Sequence, residues 1–287
     1  MRILAMAINN MSSIIRHRAS DQVEFLDIQN KHATARVSLF GGQVLSYIPH
    51  RDGRERLYVS RSALFDGSKP IRGGIPLCWP WFAKHPGDAD CPFHGFVRNR
   101  QWHLVEEDHA DVATTLLLHA VDTTSDCFAG TAELFLKILV SDHLTLELIT
   151  KNTGMESFSL TCAMHSYFAV DDIRQTVLEG LSGRYSDKIR DFAHFETPAE
   201  YRFSEETDRI HLSPCPDATI KGMDMATRVA SSGHDSIVVW NPWTACHENF
   251  PDMEPEDYLH MLCVETVVTS GITVAPGQRH ILRQEIY

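Results

Sequence analysis

The chain has 287 residues, 43% of them hydrophobic, which is ample for a buried core in one large domain or two small ones. Its 38 acidic residues against 26 basic give a formal net charge of -12, which excludes nucleic acid or an anionic membrane as a partner held by the overall field. An anionic ligand must then be met by a local cluster of cations, which a screening length of roughly 8 Å permits on an acidic protein.

Residues 1–20 open with Arg2 and a short apolar run, less than the ~7–15 residues of a signal peptide core, and no small-x-small cleavage site follows. They are expected to be a poorly ordered lead-in to a single domain over 21–287. No stretch reaches the ~18 apolar residues of a membrane span. The seven cysteines, odd in number and without a Cys-x-x-Cys pair, read as reduced thiols, and a cytoplasmic protein is expected.

Period-2 alternation with β-branched residues predicts strands at VEFLDIQ from Val23, ATARVSLF from Ala33 and VATTLLLHAV from Val112. The same pattern continues through TAELFLKILV and HLTLELITKN, separated by Ser141-Asp142 as in a hairpin. Further strands are predicted at SLTCAMHSYFAV from Ser159, DSIVVW from Asp235, MLCVETVV from Met261 and GITVAPGQRHILRQEI, the last broken at Pro276-Gly277. Only 186–191 and 255–258 carry weak helical signals. Many short strands without βαβ alternation predict an all-β fold, a large antiparallel β-sandwich or barrel.

Between the early strands lies RGGIPLCWPWFAKHPGDADCPFHGFVRN, Arg72 to Asn99, whose prolines and glycines forbid long regular structure. Gly73-Gly74 would let backbone approach a ligand closely, Trp79, Trp81, Phe82, Phe93 and Phe96 offer flat walls, and Arg72 and Arg98 supply fixed charge. Arginine suits a phosphate because its planar fork donates two parallel hydrogen bonds. His94 can hydrogen-bond a sugar hydroxyl or phosphate from the end of the loop, or simply stabilise the loop. Lys69 reads as solvated, and Cys78 and Cys91 as structural.

His165 alternates with Ala163 and Tyr167 on one strand face and, taken alone, reads as a satisfied core histidine. Glu265 is more unusual, a carboxylate within Met261-Leu262-Cys263-Val264 and Thr266-Val267-Val268 with no cation beside it in sequence. It shares a face with Cys263 and Val267, and a buried carboxylate without a role is expensive, so a functional cavity is indicated if that face is buried. Asp208, among Glu205, Glu206 and Arg209, reads as surface charge. None of the 16 histidines stands at zinc-ligand spacing, and there is no Gly-x-Gly-x-x-Gly, Walker-type or Gly-x-Ser-x-Gly motif, so neither metal nor cofactor is expected.

RGGIPLCWPWF, HGFVRN with Trp102, MHSYFAV, WNPW and LCVET, flanked by SLFGGQVLSYIP and VAPGQRH, resemble in the same order the hexose-6-phosphate mutarotases, the phosphosugar branch of the aldose 1-epimerase family. The resemblance implies a galactose mutarotase-like supersandwich and an isomerase that interconverts the α and β anomers of hexose 6-phosphates. It further implies His165 and Glu265 as the catalytic acid/base pair, Arg72 and Arg98 in the phosphate site, and His94 and Asp208 on the sugar. Asp252 matches an acid of the family. Many relatives have Glu-Pro-Gly where this chain has Glu265-Thr266-Val267.

Ring opening needs a proton taken from the C1 hydroxyl and one given to the ring oxygen. Ordinary values near ~4.3 for Glu and ~6.5 for His make Glu265 the expected base and His165 the expected acid. The expected partner is a small phosphosugar, and a monomer is expected. Two other readings are a mutarotase of unphosphorylated aldoses, which the loop arginines disfavour, and a carbohydrate-binding or sugar-sensing protein, which would need no matched acid and base.

Overall fold

Strand-forming residues fill the computed structural model, which describes residues 12–110 and 113–287. The predicted strands are found at Glu24–Gln29, Ala33–Ser38, Ala113–Ala120, Ala132–Val140 and Leu144–Asn152, then at Phe158–Met164, Tyr167–Ala169, Ser236–Asn241, Met261–Val274 and Arg279–Ile286. The expected start at Val112 lies outside the described residues, as does most of the lead-in. Ser13–Arg18, expected to be poorly ordered, instead pairs antiparallel with Glu24–Gln29 as an edge strand, because its backbone groups find a free ladder there. The weak helical signals resolve into 3-10 turns at Lys188–Arg190 and Asp257–His260.

The strands build a four-stranded, an eight-stranded and a nine-stranded sheet, with every ladder between strands antiparallel. Leu116, Leu134, Leu146, Leu148 and Leu282 of the nine-stranded sheet join Leu160, Val239, Leu262 and Val264 of the eight-stranded sheet in the main core, so the two are packed face to face. This is the antiparallel β-sandwich expected from the alternation.

The eight-stranded sheet is the one that matters for chemistry. Its order runs Ala193–Glu196, Arg184–Asp187, Thr207–His211, Ser236–Asn241, Met261–Val274, Phe158–Met164 and Leu77–Cys78, with Tyr167–Ala169 also paired to Met261–Val274. Alternation along Met261–Val274 sends Leu262, Val264 and Val268 into the main core. Cys263, Glu265 and Val267 therefore point to the opposite face, where Cys263 and Val267 join two smaller clusters under the covering loops.

The Arg72–Asn99 loop covers that face, and its special residues serve the fold more than the ligand. Gly73 and Gly74 adopt φ of 119° and 61°, and a Cβ at either would collide with the backbone at Tyr58–Val59 or Val44–Leu45. Their close approach is thus to the chain itself, not to a ligand. Trp79 is fully buried with its Nε1 donating to Thr150 Oγ1 at 3.0 Å, and Trp81 and Phe96 also pack into the core. Of the five aromatic residues expected as walls, Phe82 and Phe93 line the cavity.

One expectation about the cysteines is overturned. Cys91 and Cys127 form a disulfide across a sequence separation of 36, tying the covering loop to the 121–131 connection. Spacing gave no warning because the partner lies in a different loop. The remaining five, Cys78, Cys162, Cys215, Cys246 and Cys263, are free and buried. No helix among the described residues is long and apolar enough to cross a membrane.

Candidate active site

Arg72, His94, Arg98, His165, Asp208 and Glu265 come from five separate stretches of chain and all line one cavity of about 400 Å³. That is the size of a small-molecule site. A larger hollow of about 780 Å³ lies against the other side of the covering loop, lined by Trp81, His85 and Phe128, and contains none of the six.

His165 sits where the strand is interrupted between Met164 and Tyr167, its N–H donating to the Pro76 carbonyl at 2.9 Å. The RGGIP segment thereby runs alongside it, with the Tyr167 N–H donating to the Gly74 carbonyl at 2.8 Å. The imidazole is stacked on Tyr167 at 5.1 Å and 13°, which fixes the ring plane. Its Nε2 lies 3.5 Å from Glu265 Oε1. His165 Nδ1 and Glu265 Oε2 are both buried without a hydrogen-bond partner among the described residues.

Such orphaned polar atoms are costly in a folded protein and mark a place where a ligand is to bind. Burial is the largest influence on both groups and disfavours either charge. It holds the Glu265 carboxyl well above its ordinary value, and, with Arg98 and Arg72 adding repulsion, it depresses His165 to about 3. The expectation of an ionised glutamate beside a histidine titrating near neutrality is therefore corrected. Burial favours the neutral form of the pair, an unprotonated imidazole beside a protonated carboxyl.

The cations stand around this pair. Arg72 donates from Nε to Asp252 at 3.1 Å and from Nη1 to the Tyr167 hydroxyl at 3.0 Å, and lies 4.9 Å over the Phe250 ring. Two of its nitrogens are used to fix the fork, which retains further N–H donors for an anion. Arg98 donates from Nη2 to the Phe93 carbonyl at 2.7 Å, while its Nε is buried without a partner among the described residues. Asp208, read from sequence as surface charge, is largely buried in the cavity wall and paired with Lys188 at 3.0 Å. Burial raises the Asp208 pKa, and Lys188 opposes that rise.

His94 has φ 66° and is wedged against Phe82 and Phe93. Its Nδ1 accepts the Ala83 N–H at 3.0 Å, and burial first, then the charge of His165 and nearby cations, keeps the ring neutral. An accepting Nδ1 on a neutral ring puts the proton on Nε2, so His94 offers a donor.

Lys188, Tyr167 and Trp240 are cavity residues that sequence reasoning did not single out. Tyr167 and Trp240 read as ordinary strand aromatics, and Lys188 as one more charge in a polar segment. Cys263, two residues before Glu265 on the same face, brings its sulfur close enough that the ligand atoms of His165, Cys263 and Glu265 all lie within 4.8 Å of one another. Burial keeps that thiol protonated and four cationic side chains line the same cavity, so the arrangement suits proton transfer better than a divalent ion.

Residues 24–287 match the family model for aldose 1-epimerase. An Escherichia coli K12 protein described as "Putative glucose-6-phosphate 1-epimerase" is 31% identical over 269 residues, covering 92% of this chain and 89% of that one. A protein of the same description from Cenchrus ciliaris is 32% identical over 265 residues, covering 86% and 79%. Among solved structures, a "putative mutarotase" from Salmonella typhimurium superposes with a TM-score of 0.87 at 28% identity, covering 95% of this chain and 92% of that one. The fold, the cavity and these matches over nearly the whole chain agree, and the chain belongs to the aldose 1-epimerase family.

Proposed function

We propose that this epimerase interconverts the α and β anomers of hexose 6-phosphates, glucose 6-phosphate among them, by acid/base ring opening and closure. The observation that carries the reading is the meeting, in one cavity, of a buried imidazole–carboxyl pair with Arg72 and Arg98. A mutarotase of neutral sugars has no use for two arginines placed there, and a binding protein has no use for the pair.

The productive form has the pair's single proton on His165 and Glu265 ionised. Glu265 takes the C1 hydroxyl proton, His165 gives its proton to the ring oxygen, and the C1–O5 bond breaks to leave an aldehyde. The pair is now neutral, the form that burial favours. After rotation about C1–C2, the C5 hydroxyl attacks the other face of the aldehyde. Its proton returns to His165 while Glu265 protonates O1, so the pair is regenerated.

The substrate's phosphate contributes to this beyond anchoring. Arg98 and Arg72 are the two charges that most disfavour a protonated His165, and a phosphate of about -1.5 to -2 charges set on them cancels that repulsion. Binding at C6 thereby moves the proton toward the imidazole, so removal of the phosphate costs turnover as well as affinity. His94 Nε2–H and the Asp208 carboxylate are placed to hold sugar hydroxyls. We further propose that the enzyme acts as a cytoplasmic monomer, since phosphorylated sugars do not cross membranes unaided.

The test is NMR exchange spectroscopy of glucose 6-phosphate anomers with wild type and with Glu265→Gln. Accelerated exchange by wild type, lost in the variant, is the expected result. Exchange at its background rate with wild type would refute the reading.

A further inference from the structure

Glu265 raises a physical question that the assigned pair does not answer. To act as a base it must be a carboxylate at some moment, yet it is buried, its Oε2 has no hydrogen-bond partner among the described residues, and its Oε1 meets only His165 at 3.5 Å. A buried carboxylate so placed needs a cation turned toward it.

The titratable groups around it are few. Its own strand supplies Cys263, the interrupted strand His165 and Tyr167, the short strand in the covering loop Cys78, and the strand beyond Ser236–Asn241 Asp208. The cations and the remaining imidazole on the cavity wall are Arg72, Arg98, Lys188, Lys69 and His94. Arg72 is committed to Asp252 and Tyr167, and Arg98 reaches the Phe93 carbonyl on the His94 side.

Lys188 is differently built. Asp187, fully buried, caps the short turn that carries it, accepting the Ile189 N–H at 3.1 Å, Arg190 Nη1 at 2.9 Å and Arg209 Nε at 3.0 Å. This fixes the root of the lysine. Its Nζ is then held by Asp208 at 3.0 Å and lies 5.8 Å from the Phe82 ring centre. A point charge on a flexible stem would otherwise sample solvent; here Asp208 and Phe82 keep it in the cavity.

We propose that Lys188 is a positioning residue for the proton-transfer pair, the cation that favours a carboxylate at Glu265 while the shared proton sits on His165. This rests on the mutarotase reading of the site. In support, Lys188 is the foremost charge opposing the effect of burial on Glu265, where Asp208 acts in the opposite sense, whereas its repulsion of a protonated His165 stands behind that of Arg98 and Arg72. Asp208 therefore has two tasks, holding the lysine and moderating it.

The decisive measurement is a carbon-13 NMR titration of the Glu265 carboxyl in wild type, Lys188→Met and Lys188→Arg, with kcat and KM for glucose 6-phosphate measured in parallel. Loss of the ammonium, which shares the cavity with Glu265, should raise the Glu265 midpoint by about one pH unit. It should lower kcat about tenfold with less effect on KM, because the productive form of the pair becomes rarer. Lys188→Arg should restore the wild-type midpoint. If Lys188→Met does not fold, Lys188→Gln, which can still donate to Asp208, gives the same reading. An unmoved Glu265 midpoint in a folded variant, or a loss confined to KM, would overturn the proposal. A wild type that accelerates no anomer exchange would instead overturn the mutarotase reading, and the titration would still report on Lys188.

Discussion

The two sides of the cavity are built by opposite means. On the loop side, Arg72, His94 and Arg98 are each fixed by hydrogen bonds to neighbours, with Asp252, Tyr167, Ala83 and the Phe93 carbonyl as partners. On the strand side, His165 and Glu265 are held by packing and left with unpartnered polar atoms. On the proposed reading, residues that recognise the ligand are held by hydrogen bonds, Arg98 keeping a buried Nε unused, whereas the pair that exchanges protons is hydrogen-bonded to no neighbour through His165 Nδ1 or Glu265 Oε2, so that its protonation state responds to what binds. On the proposed reading, the loop selects the sugar and, through the phosphate it holds, tunes the strand pair that reacts.

The largest effect should come from the strand side. Glu265→Gln, which keeps the shape and removes the base, should cost roughly 10²–10⁴-fold in kcat for anomer exchange. Retained turnover would move the chemistry elsewhere in the cavity. On the loop side, Arg72→Ala should reduce the preference for the phosphorylated sugar by about tenfold in kcat/KM, the scale of a charge-assisted hydrogen bond of ~1.5 kcal/mol. A change shared equally by both sugars would erase the division of labour.

Two pH experiments sharpen the same contrast. Because the productive pair carries one proton in total, kcat/KM should hold where that proton is retained. It should fall as pH rises through the elevated Glu265 value, while His165, at about 3, sets the acid limb. A profile with its acid limb near the ordinary histidine value would contradict the neutral pair. The smallest effect is on stability, and its sign follows from the same burial. Below the ordinary carboxylate value of 4.5 the Glu265 side chain is protonated both folded and unfolded. As pH rises past it, the unfolded chain ionises and the folded one does not, so wild type loses stability until the elevated folded value is passed. Glu265→Gln has no such loss, and its Tm should gain on wild type by about 3 °C or more between pH 4 and pH 8. A gap independent of pH would show that the buried carboxyl bears no such cost.

How much of this was legible beforehand depended on where the informative contacts lie. Ala132–Val140 and Leu144–Asn152 were readable because one face of each meets the main core, and period-2 alternation records that directly. Thr207–His211 and Arg184–Asp187 were not, because their polar residues serve the cavity and the Asp187 network and so leave no apolar stripe. Glu265 announced itself as a carboxylate inside an apolar strand. Lys188 did not, since its meaning comes from Asp208 and the cap at Asp187. Arg72 and Asp252 are 180 positions apart, and Cys91 and Cys127 meet across two loops, so neither pairing leaves a local signal. The tryptophans of the covering loop misled for a related reason, being rich in ligand-like character yet spent on the core.

The claim that a cationic loop selects and a buried pair reacts is met most directly by comparing anomer exchange in glucose 6-phosphate and in glucose, side by side, with the wild-type enzyme. The account predicts strong acceleration for the phosphate ester and much weaker acceleration for the free sugar, with the difference visible in kcat as well as KM. Equal acceleration of the two sugars would contradict it.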